Sequence, residues 1–276
     1  MERKKNTSLI VITDHTAYGD SAVRHGASLA VFFEAALIVI SRFSFFTKNN
    51  PKPAESQEFR NILSEYEGKL KITVSDENFN PTQLHHFADR SNSIMFVIGV
   101  SRKSGETFFN RRRAIRFIKP SRLPVLAVGK EPPRDEHWQH VMISVGVQRR
   151  EKEKALWAGY FNRFGGATVH LLHTVYKDEF LKINLAENLA FINKLYNNLE
   201  IKSLMHEIRP RTDDLDNYAI AHAEHFNGSL LVVMTTTFKT FIDVVFGTRE
   251  KHLIANKSSL PVLCINERDD LYVLCT

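Results

Sequence analysis

The sequence predicts an α/β protein made of two tandem copies of one domain, each built on a parallel sheet of five strands. Three observations carry that expectation. The second half repeats the first, each half alternates short apolar runs with helix-forming segments, and a proline-bearing polar stretch separates them.

The repeat is clearest at the ends of the two halves. Lys119–Val128 (KPSRLPVLAV) aligns with Asn256–Ile265 (NKSSLPVLCI) at an offset of 137, with Leu-Pro-Val-Leu identical. Upstream, Ser93–Ile98 aligns with Ser229–Met234 at an offset of 136, and Leu37–Ser41 with Val169–His173 at 132. The drift is that of a few short loop insertions.

Taken in order, the first half places strands near 8–13, 36–41, 70–74, 94–98 and 124–128. The second half places them near 141–145, 168–173, 201–208, 229–235 and 261–265, with helices near 151–164, 179–199, 213–226 and 248–257. The helix over 179–199 shows its register directly: Phe180, Ile183, Leu185, Leu189, Ile192, Leu195, Tyr196 and Leu199 recur at threes and fours, predicting one buried face. Gly165-Gly166 reads as a left-handed helix end. Between the halves, Gly129–Glu136 holds two prolines and can continue neither strand nor helix, so the domains are expected at 1–133 and 134–276. A linker this short predicts two domains in contact as a pseudo-twofold pair.

Composition narrows the class. Hydrophobic residues make up 43% and charged residues 25%, as in ordinary globular proteins. The apolar run Leu9–Ile12 stops at Asp14, too short for a signal peptide, and Leu29–Ile40 carries Glu34 and is far below a membrane span. Cys264 and Cys275 suit a reducing compartment better than a disulfide framework, so a soluble cytoplasmic protein is expected. The net charge of +6 is concentrated in residues 1–133, where 20 Lys/Arg face 13 Asp/Glu. That excess attracts anions without specifying one.

The order of elements, the apolar strand Leu9–Thr13 ending at Asp14 and the two Leu-Pro-Val-Leu runs resemble the universal stress protein family over essentially the whole chain. The resemblance implies two flavodoxin-like domains, also described as adenine-nucleotide-hydrolase-like, with strand order 3-2-1-4-5 and helices on both faces. It also implies an intramolecular pseudodimer, open to further homodimerisation, and a nucleotide, ATP or AMP, held after strands one and four. In an open parallel sheet the ligand crevice opens where the strand order reverses. The family's ATP-binding members carry an Asp after strand one. After strand four they have Gly, two residues, Gly, nine residues, then Gly-Ser or Gly-Thr.

Neither half has the whole set. The first keeps Asp14 and Gly99 but places Arg102 at the second glycine and Asn110-Arg111 at the final pair. The second supplies Gly247-Thr248 at the final pair, but Gly146 stands at the Asp position, and Thr235 and Thr237 fall in the run that replaces Gly-x-x-Gly. Each site is therefore expected to be degenerate.

Bland readings stand beside each of these. Asp14 either meets a ribose or adenine, or caps the helix starting near Ser21 or satisfies loop amides. Gly247-Thr248 is a phosphate turn or an ordinary cap. Arg111-Arg112-Arg113 is a replacement phosphate grip or a solvated helix face. His222 and His225 lack zinc-protease spacing and read as a surface helix. The chain has no Gly-x-Ser-x-Gly elbow and no Walker motif. The expectation is a stress-response regulatory protein that acts by binding, with a protein partner, no membrane and no nucleic acid. Its alternatives are an ATP- or AMP-binding sensor using one domain, or a slow ATP-cleaving enzyme. The apolar run Leu271–Cys275 is expected to add an edge strand or a dimer contact.

Overall fold

The computed structural model describes residues 7–45, 54–133, 138–148, 152–209, 215–235 and 253–266. Contacts group the chain into two compact units, Met1–Pro133 with Phe238–Ser259, and Arg134–Thr237 with Leu260–Thr276. The grouping differs from an undivided 134–276 in the segment 238–259. Its described end buries Leu253, Ile254 and Ala255, and the Ala255 carbonyl accepts from the Arg111 guanidinium at 3.3 Å, which ties it to the first unit.

In the first unit, β1 (Ser8–Ile12), β2 (Ala36–Ile40), β3 (Ile72–Ser75), β4 (Ser93–Ser101) and β6 (Val125–Val128) are all parallel. The order is β3-β2-β1-β4-β6, which is 3-2-1-4-5 among the long strands. Every residue of β1 is buried, as a strand covered on both faces requires. A two-residue strand, β5 (Phe109–Asn110), pairs with the end of β4 and was not foreseen in the sequence.

Helix α1 (Ala17–Phe32) is capped by Thr16, whose hydroxyl accepts from the Gly19 amide. It lies hard against the sheet, because a Cβ at Gly26 would sit 2.2 Å from Val11 Cγ2. Glu34, in the left-handed region at φ 53°, turns the chain from α1 into β2. Helices α2 (Gln57–Glu65), α3 (Pro81–Arg90) and α4 (Arg111–Ile118) complete the unit. The α3 start carries a capping box between Asn80 and Gln83 with Pro81 in the first turn.

The second unit runs β7 (His140–Ser144), α5 (Lys152–Gly165), β8 (Thr168–Thr174), α6 (Glu179–Asn198), β9 (Ser203–Ile208), α7 (Leu215–Ala221), β10 (Leu230–Met234) and β11 (Val262–Ile265). Its parallel order, β9-β8-β7-β10-β11, repeats that of the first. Gly166 is left-handed at φ 71°, ending α5 as expected.

Two expectations are corrected. The helix over 213–226 breaks at His222 into α7 and a 3₁₀ turn, Ala223–Phe226, closed by left-handed Asn227. Gly228 then passes so close to Met142 that a Cβ would sit 2.5 Å from the methionine methyl. Helix α6 buries Leu185, Ile192 and Tyr196 but leaves Phe180 71% and Ile183 56% exposed. The buried stripe is narrower than the apolar periodicity because Asn188, not Leu189, completes it.

Candidate functional site

The residues after strands one and four of the first unit converge, but largely on one another. Asp14 follows β1. Its Oδ1 accepts from the Thr16 amide at 3.2 Å and the Thr16 hydroxyl at 2.6 Å, and its Oδ2 accepts from the Phe108 amide at 2.6 Å. The carboxylate thus positions the residue that caps α1 and anchors the loop after β4. The helix begins at Ala17 rather than near Ser21, and Asp14 supports the cap without being it.

Gly99 lies within β4, and a Cβ there would meet the Tyr18 carbonyl oxygen at 2.1 Å. The glycine is used for close packing of the first turn of α1 on β4. The loop that leaves β4 carries Arg102, exposed, and returns through Thr107–Phe109. Phe109 stacks on Phe43 at 5.2 Å and meets Phe117 edge-on at 5.4 Å, so burial of aromatic surface holds the loop down. At the position of the final Gly-Ser/Thr, the Asn110 side-chain Oδ1 accepts from the Arg113 amide at 3.0 Å and caps α4. A backbone donor that would otherwise face an anion is spent internally.

Arg111 points away from that cap toward Ala255 and is half-buried, with its Nε buried and without a hydrogen-bond partner. Burial, and then the neighbouring Arg102, push its guanidinium below the ordinary arginine value. Its acceptor residue Ala255 lines a cleft of about 200 Å³, together with Tyr18, Val100, Arg102, Gly129, Lys130, Ile254, Asn256, Lys257 and Ser259, all within the first unit.

The equivalent corner of the second unit is filled differently. Ser144, the last residue of β7, donates to Asp216 Oδ1 at 2.5 Å and accepts from Lys154 Nζ at 2.9 Å, with all three residues buried. Under the offset of 132 that aligns β1 with β7, Ser144 and Lys154 replace Ile12 and Ala22. Gly146 contributes its carbonyl to the Asn188 amide at 2.8 Å. Thr235 extends the ladder of β10, its amide donating to the Ile265 carbonyl at 2.8 Å and its hydroxyl engaging Ile265 and Asn266. Thr237, Gly247, Thr248 and Leu271–Cys275 lie outside the described residues.

A third polar array crosses the second sheet. His140 pairs with Thr168, two before His170, and His170 pairs with Leu204, two before His206, so the three imidazoles form a diagonal across β7, β8 and β9. His140 Nδ1 and His170 Nε2 are 3.0 Å apart, as are His170 Nδ1 and His206 Nε2. Burial first, then His206 and His140, lower the His170 pKa from 6.5 to about 4. His222 and His225 are exposed, and no group of three metal-ligating side chains is found among the described residues.

The loop positions are legible in the sequence, but what they contact is not. The Asp14–Phe108 bond spans 94 residues and uses a backbone amide, for which no sequence signal exists. Lys130 and Lys257 left only the basic excess of the first half and the repeat around Asn256-Lys257 as traces. Tyr18 and the buried Lys154 left none.

Both Asp14 oxygens are engaged, the Gly99 surface is covered by Tyr18, and the α4 cap is closed. Ser41 Oγ and Asp20 Oδ1 remain buried and without hydrogen-bond partners near the ends of β2 and the start of α1.

No family model and no curated protein sequence matches the chain. Solved structures do. A universal stress protein from Archaeoglobus fulgidus matches with a TM-score of 0.61 at 12% identity, over 95% of this chain and 97% of that one. A protein of unknown function from Pseudomonas aeruginosa matches at 0.60 and 11% identity, over 99% and 96%. The chain has the universal stress protein fold, carried over its full length. Among the described residues, no helix is long and apolar enough to cross a membrane.

Proposed function

We propose that the chain is a tandem universal stress protein of the cytoplasm, duplicated at about residue 133, that regulates by binding a protein partner and whose adenine-nucleotide sites are degenerate. The observation that carries this reading is the closure of Asp14 on Thr16 and Phe108. A carboxylate whose oxygens already accept three hydrogen bonds has little left to offer a ribose, and opening it would release the loop after β4. The absence of a catalytic elbow in the sequence, and the burial of Ser144 behind Lys154 and Asp216, favour binding over turnover.

A second reading, a sensor that takes ATP or AMP in the first unit, draws on Asp20 and Ser41. A buried polar atom without a partner costs about 1–3 kcal/mol, and a ligand that satisfies it recovers part of that. Thermal unfolding with ATP, ADP, AMP and cyclic AMP, beside an absorbance spectrum of the purified protein, separates the two. Degenerate sites give no midpoint shift and no co-purified nucleotide. A saturable shift that disappears in Asp14→Asn establishes the sensor and sinks the first reading.

A further inference from the structure

The two units differ in what they leave on the surface. Among the described residues, the first unit exposes one large hydrophobic side chain, Val31, and the second exposes nine. Much of the difference lies on α6. Its buried stripe, Leu185, Asn188, Ile192 and Tyr196, faces inward. Phe180, Ile183, Ala186, Ala190 and Phe191 are all exposed and, at about 100° per residue, fall in a second stripe on the opposite side of the helix. The edge strand β9 adds Met205. Its neighbour His206 meets Phe226 of the 3₁₀ turn on one face of the sheet, so Met205 lies on the other, the face that a right-handed crossover from β8 to β9 gives to α6. Helix α2, between β2 and β3 of the first unit, has nine residues, buries Phe59 and Ile62, and exposes no large hydrophobic side chain.

An apolar stripe of this length on the solvent side of a helix marks a contact surface. Phe180, Ile183, Phe191 and Met205 are 71%, 56%, 44% and 47% exposed. At about 200 Å² for each large side chain, they leave roughly 400 Å² of apolar surface open. One side of a stable homodimer contributes about 800 Å², of which roughly 500 Å² is apolar. The two alanines and the aliphatic stems of Lys182 and Lys194 supply the difference. Charge and shape point to a second copy as the occupant. Helix α6 carries two glutamates and two lysines, Glu179, Lys182, Glu187 and Lys194, so a copy laid against itself meets no net repulsion. Ile183, Glu187 and Phe191 form a ridge at a spacing of four, and Ala186 and Ala190 form the groove beside it, so the helix carries both halves of a ridge-into-groove contact.

We propose that the outer face of α6 is the surface through which two copies of this chain pair, the two helices crossing antiparallel about a twofold axis near Ala186 and Ala190. Phe191 of each copy seats against the alanines of the other, and Lys194 comes within reach of Glu187 across the axis. The pairing uses the second unit alone and is independent of nucleotide binding in either unit.

Sedimentation velocity of the full chain over a range of concentrations tests this. The wild type should show a reversible dimer. Ile183→Glu and Phe191→Glu each place a charge in the contact and should weaken the dimer about thirtyfold or more, the scale of an interface hot spot. Val31→Glu, the same kind of change on the exposed surface of the first unit, should leave it unchanged. Both stripe variants alter exposed positions, so their far-ultraviolet dichroism should match that of the wild type. Ala190→Cys reads the contact without adding a charge: in a Cys275→Ser background, a short bis-maleimide should link two chains through it, and Val31→Cys in the same background should stay unlinked. A wild type that remains monomeric throughout overturns the proposal and leaves the stripe to a different protein. A dimer that survives both glutamates, or equal linking through Ala190→Cys and Val31→Cys, overturns it in favour of another surface.

Discussion

Acidification tests the histidine diagonal of the second unit, and its outcome can be worked from the structure. Each contact between ring nitrogens at 3.0 Å needs one proton and one lone pair. Three neutral imidazoles satisfy both contacts when every ring carries its proton on the same nitrogen. A single added proton can sit on His170 if both neighbours turn acceptor toward it, but a second added proton leaves a contact with two donors. The fold therefore binds protons more weakly than the unfolded chain.

The sign follows. His170 has a folded pKa depressed from 6.5 to about 4, so its contribution is complete above 6.5 and is lost as pH falls through the interval to about 4. At about 1.4 kcal/mol per pH unit, that loss is on the order of 3 kcal/mol. His206 is shifted the same way, by burial first and then by His225 and His173, which deepens the decline. The chain's two tryptophans, Trp138 and Trp157, both belong to the second unit, so tryptophan fluorescence reports on it selectively. Urea denaturation across this range should show the wild type losing about 3 kcal/mol more than His170→Gln, whose amide replaces the titrating ring. Parallel stability profiles for the two proteins would refute the reasoning.

Three further predictions concern packing and polar burial. Gly99→Ala drives a methyl into the Tyr18 carbonyl, which is backbone and cannot rotate away, and should cost about 2 kcal/mol or more in the urea unfolding of the first unit. Lys154→Met leaves Asp216 and Ser144 buried without their cation and should destabilise the second unit by about 3 kcal/mol, read by tryptophan fluorescence. Asn110→Ala removes the α4 cap at a cost of about 1 kcal/mol, with faster amide exchange confined to the first turn of that helix.

The strands were legible in the sequence because each is a short apolar run that must be buried on both faces, and Leu9–Ile12 or Leu230–Val233 admit no other reading at that length. The strand order came only with the family resemblance. The site was less legible for a physical reason. Asp14, Gly99 and Asn110 were singled out from the pattern, but what they do depends on the Phe108 amide, the Tyr18 carbonyl and the Arg113 amide. Backbone groups carry no signature in the sequence. The break of the helix at His222 was missed because apolar periodicity runs on through Ala223 and Phe226, which stay buried in a 3₁₀ turn. On α6 the same periodicity overstated burial, since Phe180 and Ile183 continue the spacing beyond the reach of the sheet.

The contrast between Ile12 with Ala22 in one copy and Ser144 with Lys154 in the other has a bearing on how a duplicated chain can change. In an assembly of two identical subunits, every substitution occurs twice, so a lysine placed in the core burdens both partners at once. Two copies joined in one chain remove that coupling. One can accept a buried lysine, a serine and an aspartate as a set while its twin keeps an aliphatic core. A joined pair can thus become unequal one residue at a time, and here the two have diverged at the carboxyl end of the first strand, the corner where their shared ancestry would place a common ligand.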